Sequence, residues 1–97
     1  MKEMILDFTK CKKAKCVDVL YQIIKEKIPY SFDYGNNPNA LWDIMRDYWE
    51  DHEYIHFKLY GVDALEHPCM KMEMEYIIDV FEDVHENNPN ITFEIVS

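Results

Sequence analysis

The chain has 97 residues, of which 48% are hydrophobic and 30% charged, and its formal net charge at pH 7 is −9. This apolar content excludes a disordered chain, and the acidic balance disfavours nucleic-acid binding because it repels phosphates. A chain of this length builds one hydrophobic core, so we expect a single domain over residues 1–97. Neither a membrane-length apolar run nor a leader pattern is evident, which predicts no membrane partner and a cytoplasmic location.

The acidic charge is concentrated after the first third of the chain. Residues 1–28 carry seven lysines against four acids, a net +3, whereas residues 29–97 carry three basic residues against fifteen acids, a net −12. Such a surface attracts cations and basic proteins. It also keeps a protein soluble, and the charge alone leaves both interpretations open.

Hydrophobic periodicity predicts strands and helices in alternation. The predicted elements are, in chain order, a strand over Met4–Phe8, a helix from about Cys16 to Ile28, a helix from Pro38 to about Asp51, a strand over Tyr54–Tyr60, a short helical turn over Val62–Glu66, a long helix from Met70 to Glu86 and a strand over Ile91–Val96. Strands separated by helical segments pair in parallel, and the helices form the crossover connections. We therefore expect an α/β fold, a three-stranded parallel sheet with helices packed on one face.

The helical spacing also separates core positions from surface positions. The predicted core positions are Val17, Leu20, Tyr21, Ile24 and Ile28 in the first helix, Leu41, Ile44, Met45, Tyr48 and Trp49 in the second, and Met70, Met74, Ile77, Ile78, Phe81 and Val84 in the third. The opposite side of the third helix is acidic, with Glu73, Glu75, Asp79, Glu82, Asp83 and Glu86.

The sequence gives little support for catalysis or metal binding. With only Gly35 and Gly61 there is no phosphate-cradling loop, and G-x-S-x-G is absent. Residues 52–56 have the spacing H-E-x-x-H, but the predicted second helix ends near Asp51, so His52 and His56 would not share a helical face. The four histidines lack the spacing of a four-ligand set, so we expect no metal and no cofactor. Three cysteines without a C-x-x-C pair indicate reduced, mostly structural thiols. The sequence therefore favours a protein that is not an enzyme.

One segment stands out as a candidate binding surface. Residues 30–36 are predicted to form a loop with three aromatic rings, and Asn37-Pro38 is typical of a helix start, with Asn37 as the N-cap. At about 100° per residue, four side chains share a flank of the second helix away from its core positions: Asn39, Trp42, Asp43 and Arg46. Tryptophan, tyrosine and desolvated charges are typical of protein interfaces. From these residues alone, either this is a protein-binding patch or Trp42 closes the edge of the core.

The same segment resembles a known family. Residues 34–43 read Tyr-Gly-Asn-Asn-Pro-Asn-Ala-Leu-Trp-Asp. They resemble the barstar signature Tyr-Gly-x-Asn-x-Asp-Ala-Leu-Trp-Asp, and barstars are intracellular inhibitors of barnase-like ribonucleases. Weaker similarity covers the rest of the chain, including Val80-Phe81 followed at the family's spacing by Ile91-Thr92. The resemblance implies that Tyr34, Gly35, Asn37, Trp42 and Asp43 enter the active-site cleft of the nuclease, and that Asp83 supplies a further acidic contact.

The chain departs from the family pattern at several of these positions. Asn39 stands where the family has an aspartate that contacts the nuclease, Arg46 replaces a small hydroxyl residue, and Asp33 replaces a tyrosine. The loop before Gly35 is about two residues longer, and Phe32 or Tyr30 is a candidate for the missing aromatic contact. The predicted partner-binding residues are Tyr30, Phe32, Asp33, Tyr34, Gly35, Asn37, Asn39, Trp42, Asp43, Arg46 and Asp83.

Two functions remain open at this point. The first is an intracellular inhibitor, monomeric when free, that blocks the active site of a basic, extracellular-type ribonuclease. The second is an acidic protein-interaction module of the same fold with a partner that is not a nuclease. The charge around Asn39, Asp43 and Arg46 separates them, because a blocker of a cationic site needs negative potential there.

Overall fold

Helices separate the consecutive strands along the chain, as the periodicity predicts. The structure is a computed structural model that describes residues 2–28, 36–47 and 53–96. Its elements are β1 (Lys2–Asp7), α1 (Asp18–Lys27), α2 (Pro38–Asp47), β2 (Ile55–Tyr60), α3 (Pro68–Asn87) and β3 (Ile91–Val96), with short 3₁₀ turns at Thr9–Cys11 and Val62–Ala64. The predicted end of the second helix near Asp51 lies outside the described residues.

The three strands form one parallel sheet in the order β1-β2-β3. Its register aligns Met4 with Phe57 and Phe57 with Phe93, so these side chains share one face. Helices cover that face, whereas the other face carries charge: Lys58 Nζ lies 3.4 Å from Glu3 and 3.9 Å from Glu94. The hydrogen bond to Glu3 raises the pKa of Lys58. The predicted α/β fold, with helices packed on a three-stranded parallel sheet, is confirmed.

Most of the predicted core positions are buried between the helices and the covered face of the sheet. The buried residues of the three helices are Leu20, Tyr21, Ile24, Leu41, Ile44, Met45, Met70, Met74, Ile77, Val80, Phe81 and Val84. The predicted core positions Tyr48 and Trp49 lie outside the described residues. Val80 was not among the predicted positions, and Val17 and Ile78, which were, are only half-buried. On α3 the buried side is therefore rotated slightly toward Val80, because α2 packs beside it as well as the sheet beneath it.

The boundaries of β1 and α1 differ from the prediction by one or two residues. β1 begins at Lys2 and ends at Asp7, and Phe8 beyond it is buried without being in the strand. α1 begins at Asp18 rather than near Cys16. The end residues of helices and strands are hard to predict from periodicity, because helix ends fray and terminal residues contribute little to the repeating pattern.

A side-chain hydrogen bond joins α1 to α3 at Tyr21. This residue has no exposed surface, and its hydroxyl donates a hydrogen bond to the carboxylate of Glu73 on α3. Glu73 was predicted on the solvated side of α3, which is wrong because it is half-buried and accepts this bond. Burial, this hydrogen bond and the charge of Glu73 raise the pKa of Tyr21 far above its usual value of about 10.

A pH dependence of stability follows from that pKa. As pH rises above about 10, the unfolded chain releases the Tyr21 proton while the folded protein keeps it, so the free energy of unfolding falls by up to about 1.4 kcal/mol per pH unit. The contribution is fully present below pH 10. Tyr21→Phe should lower stability at pH 8 by about 1.5–3 kcal/mol, the range for a hydrogen bond to a charged group, and remove this part of the alkaline slope.

Urea unfolding between pH 8 and pH 11 measures both effects. Tyr54→Phe, at an exposed tyrosine, is the control that should follow the wild type. Alkaline curves that run parallel for wild type and Tyr21→Phe would contradict the assignment.

Candidate protein-binding site

The start of α2 is fixed by a side-chain cap. The Asn37 Oδ1 accepts a hydrogen bond from the Ala40 N–H at 2.9 Å, and the Asn37 carbonyl accepts one from the Leu41 N–H at 3.1 Å. Pro38 occupies the first helical position, where its missing N–H leaves no bond unmade. The predicted N-cap is thus confirmed, and it sets the direction in which the first turns of α2 present their side chains.

α2 and α3 pack beside each other and leave a groove between them. We call it the α2–α3 groove; it encloses about 340 Å³ and is lined by Pro38, Asn39, Trp42, Tyr76, Asp79, Val80 and Asp83. Trp42 is half-buried and packs against the core, so it is both an edge of the core and a wall of the groove. Trp42 thus closes an edge of the core, which is one of the two interpretations left open by the sequence, and the protein-binding interpretation stays a prediction.

The groove is acidic at its α3 side. Asp79 and Asp83 are both exposed and lie four residues apart, on the same side of the helix. Among the described residues, no lysine or arginine lines the groove, and none has a side-chain ion pair with either carboxylate. A cationic side chain of a partner would meet two carboxylates there.

The other side of Trp42 carries a cation of this chain. The guanidinium carbon of Arg46 lies 4.7 Å from the centre of a Trp42 ring, and its Nη2 lies 3.9 Å from Asp43 Oδ1. The side chains of Arg46 and Asp43 are 41% and 65% exposed, so this ion pair is open to water. Such exposed pairs contribute about 0.2–1 kcal/mol, and this contact is too long for a strong hydrogen bond.

Of the eleven predicted partner-binding residues, six lie within the described residues. Asn39, Trp42 and Asp83 line the α2–α3 groove, and Asp43 and Arg46 lie beside Trp42 outside it. Asn37 caps the helix at one end of this surface. The remaining five, Tyr30, Phe32, Asp33, Tyr34 and Gly35, lie outside the described residues.

Sequence reasoning did not assign four of the groove residues, Pro38, Tyr76, Asp79 and Val80, to a binding surface, and two of them, Tyr76 and Asp79, are exposed. Asp79 was predicted on the acidic side of the third helix, but nothing in the sequence connects that side with Trp42. Tyr76 is a large side chain, 49% exposed, three residues before Asp79. An aromatic residue on the polar side of an amphipathic helix was the available signal.

Other chemistry on the described surface is limited. Within residues 2–28, 36–47 and 53–96, no three His, Cys, Asp or Glu side chains come together as metal ligands. No helix in those ranges has the length and apolar character of a membrane span. Cys11 is buried, but Cys16 and Cys69 are exposed, so the expectation of mostly structural thiols is wrong for two of the three.

A three-stranded α/β fold with an acidic, aromatic groove between two helices is suited to contact a basic protein. The family model described as Barstar (barnase inhibitor) matches residues 1–97, and the chain belongs to the barstar family. This family consists of inhibitor domains rather than enzymes, and its members bind barnase-like ribonucleases. A search of curated proteins found no match for the chain.

Proposed function

We propose that this protein is an intracellular inhibitor that binds a basic, barnase-like ribonuclease and blocks its active site. The observation that carries the proposal is the surface formed by Trp42 and Asp43 on α2 and Asp83 on α3, in a chain of the barstar family. It contains an aromatic residue anchored in the core and carboxylates open to solvent.

Inhibition of this kind needs no chemistry from the inhibitor. A ribonuclease active site is built from cations that hold phosphate, so a carboxylate presented on a rigid helix can take the position of the phosphate. Asp43 is 65% exposed and lies beside the half-buried Trp42, which can exclude water from the contact. The rigid backbone of α2, capped by Asn37, lowers the entropy lost on binding.

The departures from the family pattern predict that the surface can be made more inhibitory. Asn39→Asp restores the family's acid and Arg46→Thr removes the cation beside Asp43, so each should raise the affinity for barnase by up to about fivefold at low salt. Because each change adds one unit of negative charge to the interface, the dependence of affinity on ionic strength should also steepen.

Binding kinetics at two salt concentrations measure this effect. Lys71→Thr changes the net charge equally but lies in a different groove, beside Ile95, and is the matched control. Equal gains from Lys71→Thr and Arg46→Thr would mean that only the total charge matters.

A second function is favoured by one observation. Arg46 lies 3.9 Å from Asp43 and stacks over Trp42, which lowers the negative potential where a blocker of a cationic site needs it. A repurposed acidic interaction module, with a partner other than a nuclease, would tolerate this arrangement. The two functions differ in whether the purified protein inhibits barnase.

A further inference from the structure

The α2–α3 groove has a charge distribution that differs from the one the family pattern implies. Position 39 on α2 holds an uncharged asparagine where the pattern has an aspartate, and this residue lines the groove. Asp79 lines the same groove from α3. The groove therefore has two carboxylates, and both are on α3, whereas the family pattern implies one acid on α2 and one on α3.

Asp79 and Asp83 repel each other in the free protein. Like charges four residues apart on a helix are destabilising by about 0.2–0.5 kcal/mol, and the described residues that line the groove include no lysine or arginine to offset them. A guanidinium placed between the two carboxylates would remove this repulsion and form bonds to both. The pair thus gains most when a partner supplies the missing cation.

Aromatic walls make the groove more suitable for arginine than for lysine. Tyr76 and Trp42 line it from α3 and α2, and Tyr76 remains 49% exposed although it is bulky. A guanidinium stacks on aromatic faces and bonds carboxylates through two parallel N–H groups, whereas an ammonium is a compact, strongly hydrated charge. The chemistry of the lining matches an arginine side chain.

We propose that Tyr76 and Asp79 are specificity-determining residues, which hold an arginine of the ribonuclease in the α2–α3 groove and replace the family's acid at position 39. This inference rests on the proposed function. It extends the interface from α2 onto the middle of α3, and it makes the chain selective for a partner with an arginine at that place. Compared with the family pattern, this chain lacks the acid at position 39 on α2 and has one at position 79 on α3.

A charge-exchange experiment with barnase as the probe tests the inference. Asp79→Asn and Tyr76→Ala should each raise the Kd about tenfold, the size of a moderate interface hot spot. The double variant Asn39→Asp/Asp79→Asn, which moves the acid back to α2, should bind within about threefold of the wild type. Because the substituted side chains are exposed, folding should be unaffected, and thermal unfolding checks this.

The controls match each substitution in chemistry and exposure. Asp63→Asn and Tyr54→Ala change an exposed aspartate and an exposed tyrosine that do not line the groove, and each should alter the Kd less than twofold. The inference is overturned if Asp79→Asn binds as the wild type does, or if the double variant binds no better than Asp79→Asn. In either case a wild type that inhibits barnase would leave the proposed function intact.

If the wild type does not bind barnase, the proposed function is refuted. A second probe then tests whether the α2–α3 groove still selects arginine. Titration with L-argininamide, followed by NMR of the backbone amides, should shift the signals around Tyr76 and Asp79 saturably, and Asp79→Asn should abolish these shifts. Shifts spread evenly over the acidic surface, including Asp63 and Glu26, would show that the groove does not select arginine.

Discussion

Asp43→Ala is expected to weaken binding to barnase by about 2–5 kcal/mol, a range for desolvated charge pairs that itself rests partly on barnase–barstar measurements. Asp43 is exposed in the free protein and is flanked by Trp42, so it can become dry on binding. Its contact with Arg46 is an exposed pair at 3.9 Å, which a better-placed guanidinium of the partner can displace.

The loss should be mainly in the dissociation rate. A desolvated carboxylate holds the formed complex, whereas exposed charges chiefly steer the encounter. Stopped-flow association and dissociation with barnase separate the two rates, and Asp63→Ala, an exposed aspartate after β2, is the matched control. If Asp43→Ala dissociated no faster than Asp63→Ala while the wild type still inhibited, the binding surface would lie elsewhere, with Asp83 and α3 as its centre.

Phe81→Ala is expected to lower the free energy of unfolding by about 3–5 kcal/mol. Phe81 is 1% exposed, and its ring centre lies 5.1 Å from that of Phe57 and 5.5 Å from that of Phe93. Its removal leaves a cavity between α3 and the sheet and also loses two aromatic contacts. Because domains of this size have about 5–15 kcal/mol of stability, the change is a large part of the total.

A substitution on the exposed side of α3 should have a much smaller effect on stability than one on its buried side. Glu82, the next residue, is exposed, and Glu82→Ala should change stability by less than about 0.5 kcal/mol. Urea unfolding of both variants measures the difference. A loss below about 1.5 kcal/mol for Phe81→Ala would mean that α3 is not held on the sheet by this aromatic cluster.

The fold was predictable from the sequence because its strands and helices have clear and different periods. Ile55, Phe57 and Leu59 alternate along β2, whereas Leu20, Tyr21 and Ile24 follow helical spacing in α1. Because helices separate the strands along the chain, parallel pairing through helical crossovers was the expected arrangement of the sheet. No periodic pattern, however, encodes a bond between two distant side chains, which is why the contact of Tyr21 with Glu73 was missed.

The candidate site was predictable only where a local pattern carried it. The cap at Asn37 and the shared flank of Trp42 and Asp43 follow from spacing within one helix. The participation of Tyr76 and Asp79 depends on how α2 packs against α3, and two helices with known core sides can still pack at different offsets. The aromatic loop predicted over residues 30–36, whose role the family resemblance implies, stays a prediction because residues 30–35 lie outside the described residues.

Titration of barnase with the purified protein, followed by ribonuclease activity, tests the central claim most directly. The account predicts that activity falls as the protein is added and is abolished at saturation, that Asp43→Ala shifts the titration to much higher concentrations, and that a basic ribonuclease of unrelated fold is unaffected. Barnase activity that stays unchanged at inhibitor concentrations up to about 100 μM, corresponding to binding weaker than about −5.5 kcal/mol, would contradict it.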